Sequence, residues 1–485
     1  MAVAVHGRRD IARGAVWRIV EVMGAEIFAF SAFILSARLL LPAEVGIVAQ
    51  ATLFILAAQL ILNQGLGEAL IQSDEAGPLH FASAFWLNLV IGGGVALALI
   101  AGADLLGLLL AEPGLPPVVR ALAPTLFLFA ASAIYQAKLR RDLQLRGFAF
   151  ASVSASLAGG LVAVTMAWAG YGVWSLVAQQ WIYASVSLVV FAVTSRWLPA
   201  PIIQWQLARR MGAFGSLVTL SAFLQFAMRR LDLLILSLFL PAAQIGFFSV
   251  ASRLMFSAGM LTYHSIQQIG LPVLSRLAHD RDEHLRAIRR TLRLVSLICL
   301  PTLVGLALVA DLMIPLAMGA KWQGSVLPFQ ILSAFGIFFA LSLIAGQILL
   351  SAGRAALFLR LSIINVVMFL TAVTVAAPYG LAAAAFAGGV ANMLAVPVYG
   401  WALHRTLGLD LRDWVLDQWP IWIAAGMMMA VVMIWSHVAA GHIGDVGVLA
   451  GRIVAGGGTF LAVLLLLSYD DVKEICGSFA EMLHG

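Results

Sequence analysis

Fourteen apolar segments, each twenty residues or longer, constrain this chain more than any other feature of its sequence. Each is long enough to cross the hydrocarbon core of a bilayer, which takes about 20 helical residues. Hydrophobic residues make up 62% of the 485 residues and charged residues only 11%, and the mean hydropathy is +0.99. Such a composition excludes a soluble enzyme and predicts an all-α integral membrane protein with fourteen transmembrane helices. The predicted spans are 15–41, 45–71, 79–110, 118–138, 148–169, 172–194, 212–239, 242–275, 290–318, 324–351, 356–377, 380–404, 418–438 and 446–469.

Basic residues between these segments predict the orientation of the chain. With the N-terminus inside, the inner segments hold 21 of the 29 Lys and Arg residues, and the outer loops hold only Lys321. Because Lys and Arg collect on the cytoplasmic side, we expect both termini to be cytoplasmic. The net charge of +6 is spread over these loops and forms no basic face, so no nucleic-acid partner is expected.

An internal repeat divides the chain into two halves. Three pairs of short stretches match at offsets of 199 to 208 residues: 41–48 with 240–248, 64–71 with 267–274, and 170–176 with 378–384. An even number of helices per half predicts two parallel bundles related by an axis along the membrane normal, with a cavity between them. The predicted domains are an N-terminal six-helix bundle (1–194), a cytoplasmic linker (195–211) and a C-terminal six-helix bundle (212–404). Two extra helices and a cytoplasmic tail follow (405–485).

The hairpin around Pro241 carries four charges inside two apolar segments. Arg229 and Asp232 share one helical face with Gln225, whereas Arg230 points about 100° away. After the turn, one helical face carries Arg253, His264 and Gln268. Charges at this depth are costly in lipid, which favours partners or a wet cavity.

Arginine suits a diphosphate because its guanidinium stays charged when desolvated and makes forked hydrogen bonds to phosphate oxygens. A structural ion pair of Asp232 with Arg229 or Arg253 is the alternative. One carboxylate cannot neutralise three arginines, so we expect the surplus positive charge to face the cavity.

Other polar residues inside the spans are candidates for further roles. Glu21 and Glu26 are candidates for coupling transport to a proton or sodium ion, although Glu21 also has Arg18 as a possible partner. Candidates for sugar contacts, with polar packing between helices as the alternative, are Gln59, Asn63, Gln179, Gln180 and Tyr183. We expect no catalytic residues, no metal site and no bound cofactor, since no catalytic or phosphate-loop motif is present.

Ten short stretches in order along the chain resemble one family. They include GLGEALIQ (65–72), LRRDLQLRG (139–147), RRLDLLI (229–235), IGFFSVASRL (245–254) and GQILLSAGR (346–354). On these residues the chain resembles bacterial oligosaccharide-lipid flippases of the Wzx-like polysaccharide biosynthesis type, within the multidrug/oligosaccharidyl-lipid/polysaccharide exporter superfamily. Where that family often has tyrosines after the seventh helix, this chain has Phe248 and Ser252.

The resemblance implies two six-helix bundles plus two helices, and alternating access in the bacterial inner membrane. The implied cargo is a polyprenyl-diphosphate-linked oligosaccharide repeat unit, moved from the cytoplasmic to the periplasmic leaflet for surface or exopolysaccharide synthesis. Membrane lipids and polysaccharide polymerase or export components are the expected partners. A cation-coupled small-molecule exporter of the same superfamily and a membrane-embedded glycosyltransferase or polymerase are the alternatives. Short outer loops argue against the enzyme.

Replacing Arg229 and Arg230 together with Gln is expected to abolish polymer export, because the surplus charge for the diphosphate is lost. Immunoblotting of membranes should show unchanged protein, and exported polysaccharide gives the activity. Normal polymer production by the double variant would contradict the assignment.

Overall fold

The computed structural model describes residues 23–64, 77–142, 144–202, 230–258, 281–409, 416–439 and 442–468, with the isolated residues 67, 70, 71, 226 and 412. Within these residues the regular structure is helical throughout, without a β-strand. Eleven described helices are long and apolar enough to cross a membrane. The other three predicted spans, the first, seventh and eighth, are helical at Ala25–Leu39, 230–239 and 242–258. The prediction of an all-helical membrane protein is therefore confirmed.

Two compact units divide the chain, residues 1–249 and 250–485. The helices of the first unit are α1 Ala25–Leu39, α2 Pro42–Gln64, α3 Pro78–Leu109, α4 Leu115–Leu122, α5 Thr125–Arg141, α6 Leu145–Trp168, α7 Val173–Ser195, α8 at 230–239 and the start of α9 at 242–258. Those of the second unit are the rest of α9, α10 Arg281–Met318, α11 Val326–Ser351, α12 Ala355–Ala376, α13 Leu381–Leu407, α14 Trp419–Ala439 and α15 Asp445–Leu467. Short 3₁₀ turns at Ala320–Ser325 and Ala377–Tyr379 precede α11 and α13. The domain limits expected from the sequence stay a prediction.

The turn after α1 and the turn after α8 have the same hydrogen bonds, 200 residues apart. Leu40 N–H donates to Ser36 O at 2.9 Å, and Leu240 N–H donates to Leu236 O at 2.9 Å. Val45 N–H donates to Leu41 O, and one repeat later the same bond runs from Ile245 to Pro241, each at 3.2 Å. The internal repeat is thus visible in the backbone.

Gly46 and Gly246 bring these two turns into reciprocal backbone contact within the first unit. A Cβ on Gly46 would overlap the Ala242 carbonyl oxygen and lie 2.9 Å from Gly246 N. A Cβ on Gly246 would overlap the Pro42 carbonyl oxygen and lie 3.2 Å from Gly46 N. Only glycine allows so close an approach of two backbones.

Aligning Leu41-Pro42 with Leu240-Pro241 gives an offset of 199 residues between the halves, one fewer than the offset of 200 given by the turn hydrogen bonds. That match places Phe30 and Phe33 opposite Arg229 and Asp232, and Glu26 opposite Gln225. The turn hydrogen bonds instead place Ala32 opposite Asp232 and Phe30 opposite Arg230. Ala32 and Phe30 are uncharged, so the charges of Arg230 and Asp232 still belong to the second repeat alone.

The two extra helices of the second unit are attached to α10 at two points, one near its middle and one near its C-terminal end. Ser296 Oγ donates to Gln418 Oε1 at 2.7 Å in a buried bond just before α14. Near the C-terminal end of α10, Arg452 Nη1 of α15 donates to Asp311 Oδ1 at 2.6 Å. Polar bonds between helices are favourable in lipid because it offers no competing partners. The last two helices are therefore integral to this unit.

Gly46→Ala is expected to lower the free energy of unfolding by about 1–3 kcal/mol, because the added methyl group meets backbone that has no rotamer to change. The midpoint of thermal unfolding in detergent measures this. Gly93→Ala in α3 is the matched control, since a Cβ there meets nothing within 4 Å. Equal midpoints for the two variants would contradict the close approach.

Candidate functional site

A cavity of about 230 Å³ lies inside the first unit, between α2, the α4–α5 junction and α7. Its polar lining comes from five side chains: Thr52, Gln59, Thr125, Gln180 and Tyr183. Its apolar lining comes from Ile55, Leu56, Leu122 and Phe129. None of these lining residues is charged, so the cavity offers hydrogen bonds and apolar contact to a neutral polar group.

The cavity lies deep within the span of these helices. Thr52 lies ten residues after the start of α2, and Tyr183 lies ten residues after the start of α7. Thr125 lies ten residues after Leu115, where the fourth span begins with α4. At 1.5 Å per residue this is about 15 Å from the helix ends, or half of a hydrocarbon core about 30 Å thick. Substrate sites of secondary transporters lie near this midplane.

A break in the fourth span places a polar group at the cavity. The span Leu115–Arg141 is interrupted between α4 and α5 at Ala123 and Pro124. Pro124 has no N–H to donate. The Leu126 N–H donates three residues back, to Ala123 O at 3.0 Å, instead of four residues back to Leu122 O. Leu122 O loses its usual helical partner and accepts the Thr125 hydroxyl at 2.6 Å in a buried bond.

Aromatic rings complete the wall of the cavity. The rings of Phe129 and Tyr183 lie with their centroids 6.5 Å apart and tilted by 40°. An apolar ring face packs against the C–H face of a sugar, while the amides of Gln59 and Gln180 both donate and accept hydrogen bonds. The volume suits one sugar ring rather than a chain of rings.

Three of the five predicted sugar contacts meet at this cavity. Gln59, Gln180 and Tyr183 line it together, from helices far apart in the sequence. Gln179 instead lies against α6, where its Cγ would be 3.6 Å from a Cβ on Gly159. The backbone of Asn63 is helical in α2, and its side chain lies outside the described residues.

The charged hairpin is described in part. Arg230 is exposed on α8, and Asp232 is half-buried with its Oδ1 accepting Leu233 N–H at 2.7 Å. Arg253 is exposed on α9 and interacts with other groups. Glu26 is half-buried in the first turn of α1 and also has interacting partners. Five further candidates lie outside the described residues: Glu21, Gln225, Arg229, His264 and Gln268.

Sequence reasoning missed Thr52, Thr125 and Phe129 as lining residues. The sequence signal for Thr125 is Pro124, a proline in the middle of an apolar segment predicted as one unbroken helix at 118–138. Thr52 and Phe129 carry no comparable signal, since single threonines and phenylalanines are common in membrane helices.

Comparison with known proteins gives a family and a fold. A family described as polysaccharide biosynthesis protein matches residues 35–327, more than half of the chain. The chain is 25% identical over 468 residues to the succinoglycan biosynthesis transport protein ExoT of Rhizobium meliloti (strain 1021), covering 95% of this chain and 93% of ExoT. It is 21% identical to the lipopolysaccharide biosynthesis protein WzxC of Escherichia coli (strain K12), covering 85% of each. The resemblance seen in the sequence is confirmed.

Solved structures of transporters have the same fold. The lipid II flippase MurJ in an inward closed conformation matches with a TM-score of 0.76 at 12% identity, over 94% of this chain and all of that one. An inward-facing multidrug resistance MATE family transporter of the MOP superfamily matches with a TM-score of 0.64 at 15% identity, over 82% of this chain and 98% of that one. The chain therefore shares the fold of these two transporters.

Thr125→Val is expected to lower the free energy of unfolding by about 1–3 kcal/mol, since it leaves the buried Leu122 carbonyl without its partner. Thr374→Val is the matched control, because Thr374 Oγ1 donates to Leu370 O at 2.7 Å on an exposed helix face. Thermal unfolding in detergent measures both. A larger loss at position 374 would contradict this role for Thr125.

Proposed function

Because the chain belongs to the polysaccharide biosynthesis protein family, we propose that it is a flippase for lipid-linked oligosaccharide serving surface or exopolysaccharide synthesis. The cargo is a repeat unit on polyprenyl diphosphate, moved from the cytoplasmic to the periplasmic leaflet of the bacterial inner membrane. Relatives named for succinoglycan and lipopolysaccharide synthesis favour an oligosaccharide over a small drug. The observation that carries the proposal is the uncharged polar cavity at mid-depth, whose amides and aromatic rings suit a sugar.

We further propose that the two ends of the cargo are recognised by different groups. Gln59, Gln180 and Tyr183 contact sugar hydroxyls and ring faces in the cavity. Arg229, Arg230 and Arg253 bind the diphosphate. Gln225 and Asp232 share a helical face with Arg229, and His264 and Gln268 share one with Arg253. This division follows the charge distribution, because the neutral cavity provides no counterion for a diphosphate.

The direction and energy of transport are part of the same proposal. With both termini in the cytoplasm, the first residues of α2, α4 and α7 lie at the periplasmic face of the membrane. The cavity then lies about halfway between the two faces. Glu21 and Glu26 are the candidates for coupling to a proton or sodium gradient, since protonation of a carboxylate in the membrane depends on its surroundings. Polymerase and export components that receive the repeat unit are the proposed protein partners.

Replacing Gln59 and Gln180 together with Leu is expected to reduce export roughly tenfold or more, because two hydrogen bonds of about 1 kcal/mol each are lost. Gln179→Leu is the matched control on the same helix, and it should change export less than twofold. Exported polysaccharide per unit of membrane protein gives the activity. Equal losses in the control and the double variant would contradict the sugar site.

The proposed cargo and direction can be tested directly in cells. Deleting the gene should leave lipid-linked repeat units in the inner leaflet, protected in spheroplasts from a membrane-impermeant sugar oxidant. Re-expression of the wild type should expose them to the oxidant, and Gln59→Leu/Gln180→Leu should not. Repeat units that reach the outer leaflet at normal levels in the deletion strain would exclude the proposed flippase function.

A further inference from the structure

A second cavity, of about 730 Å³, lies in the second unit between α10, α14 and α15, with Gln330 of α11 also in its lining. One wall is an apolar stripe of α14 that includes Met433, Ile434 and Val438, which are 62%, 62% and 64% exposed. In a membrane, an exposed apolar helix face is covered by lipid. We call this cavity the α14 groove. It is a different site from the sugar cavity of the first unit.

The inner wall of the α14 groove contains an ion pair. Arg452 Nη1 donates to Asp311 Oδ1 at 2.6 Å and to Leu308 O at 3.0 Å. The Arg452 side chain is 11% exposed, whereas that of Asp311 is 43% exposed. Arg452 Nε is buried and has no hydrogen-bond partner among the residues that the structure describes. Both of these bonds use Nη1, and a guanidinium has five N–H donors, so the remaining terminal N–H groups of Arg452 can bind a further acceptor.

The pair lies at a depth from which a lipid headgroup can be reached. Asp311 is seven residues before the end of α10, and Arg452 is seven residues after the start of α15, about 10 Å from the helix ends. Helical side chains lean towards the N-terminus of their helix, so Arg452 extends towards the rim of the membrane. His437, two residues before the end of α14, lies at this rim.

The charges of the groove match a zwitterion better than an anion. Arg452 presents a positive group and the more exposed Asp311 a negative one, side by side. An anionic headgroup or a diphosphate would place its excess negative charge beside Asp311, which is unfavourable at short range. A phosphate joined to a primary ammonium satisfies both groups.

We propose that the α14 groove binds one zwitterionic glycerophospholipid of the surrounding leaflet. Arg452 binds the phosphate, Asp311 accepts hydrogen bonds from the ammonium group, and an acyl chain lies along the apolar stripe of α14. The site holds a bulk lipid rather than the cargo, and it ties α14 and α15 to the membrane around them.

The test uses the full chain, purified in mild detergent and stripped of lipid, with bound lipid counted by native mass spectrometry. Phosphatidylethanolamine, phosphatidylcholine and phosphatidylglycerol are the probes. The wild type is expected to retain one phosphatidylethanolamine at least fivefold better than either other lipid, since a quaternary ammonium cannot donate hydrogen bonds. Equal retention of all three lipids would overturn the proposal, and so would a retained native molecule with the mass of a polyprenyl diphosphate.

Two variants separate the groove from general effects on folding. Asp311→Asn keeps Arg452 and removes the negative charge, so the preference should change from phosphatidylethanolamine to phosphatidylglycerol, a gain that misfolding does not produce. The neutral double variant Arg452→Gln/Asp311→Asn should lose at least fivefold in retention. Arg120→Gln is the matched control, because Arg120 pairs with Asp104 at an exposed site of the first unit. Unchanged preference in Asp311→Asn, or equal loss in Arg120→Gln, would refute the assignment.

Discussion

The constraint on which the structure depends is that lipid offers no hydrogen bonds to a peptide backbone. Every N–H and C=O group in the hydrocarbon must find a partner within the protein, which leaves helices as the elements for these spans. Departures from the regular helix then need local compensation. The break at Pro124 is an example, because the Thr125 hydroxyl takes the place of the lost backbone donor at Leu122 O. One polar group of the cavity lining, the Thr125 hydroxyl, therefore lies where the backbone is interrupted.

The second consequence is that helices in lipid associate through close packing rather than through the hydrophobic effect. Small residues therefore decide where backbones approach most closely. Gly46 and Gly246 show this at equivalent positions of the two repeats, each leaving room for the carbonyl group of the other turn. Both repeats have this glycine, whereas the helices before it, α1 and α8, differ in charge. Packing constrains both copies of a repeat equally, whereas a binding group is needed in only one.

Hydropathy predicted the fold because each span carries its own signal of length and polarity. The spans found in the structure match the predicted segments closely, and the repeat was legible from short matching stretches. Spatial relations were harder to predict. Gln179 and Gln180 are adjacent in sequence, yet only Gln180 lines the cavity, because neighbours on a helix point about 100° apart. The ion pair of Arg452 and Asp311 was unpredictable for a related reason, since 141 residues separate its members.

The charge of each candidate binding site can be compared with the hydration that its proposed ligand would lose. The cavity of the first unit is neutral, and a sugar bound there would exchange its hydrogen bonds to water for bonds to amides and hydroxyls, without a counterion. A diphosphate loses far more hydration on entering a membrane protein, and guanidinium groups such as those proposed for the Pro241 hairpin would offset that cost. A transporter for a cargo with a neutral head and a charged link to its lipid needs both environments. The neutral lining of the cavity and the charges of the Pro241 hairpin fit the two ends of the proposed cargo.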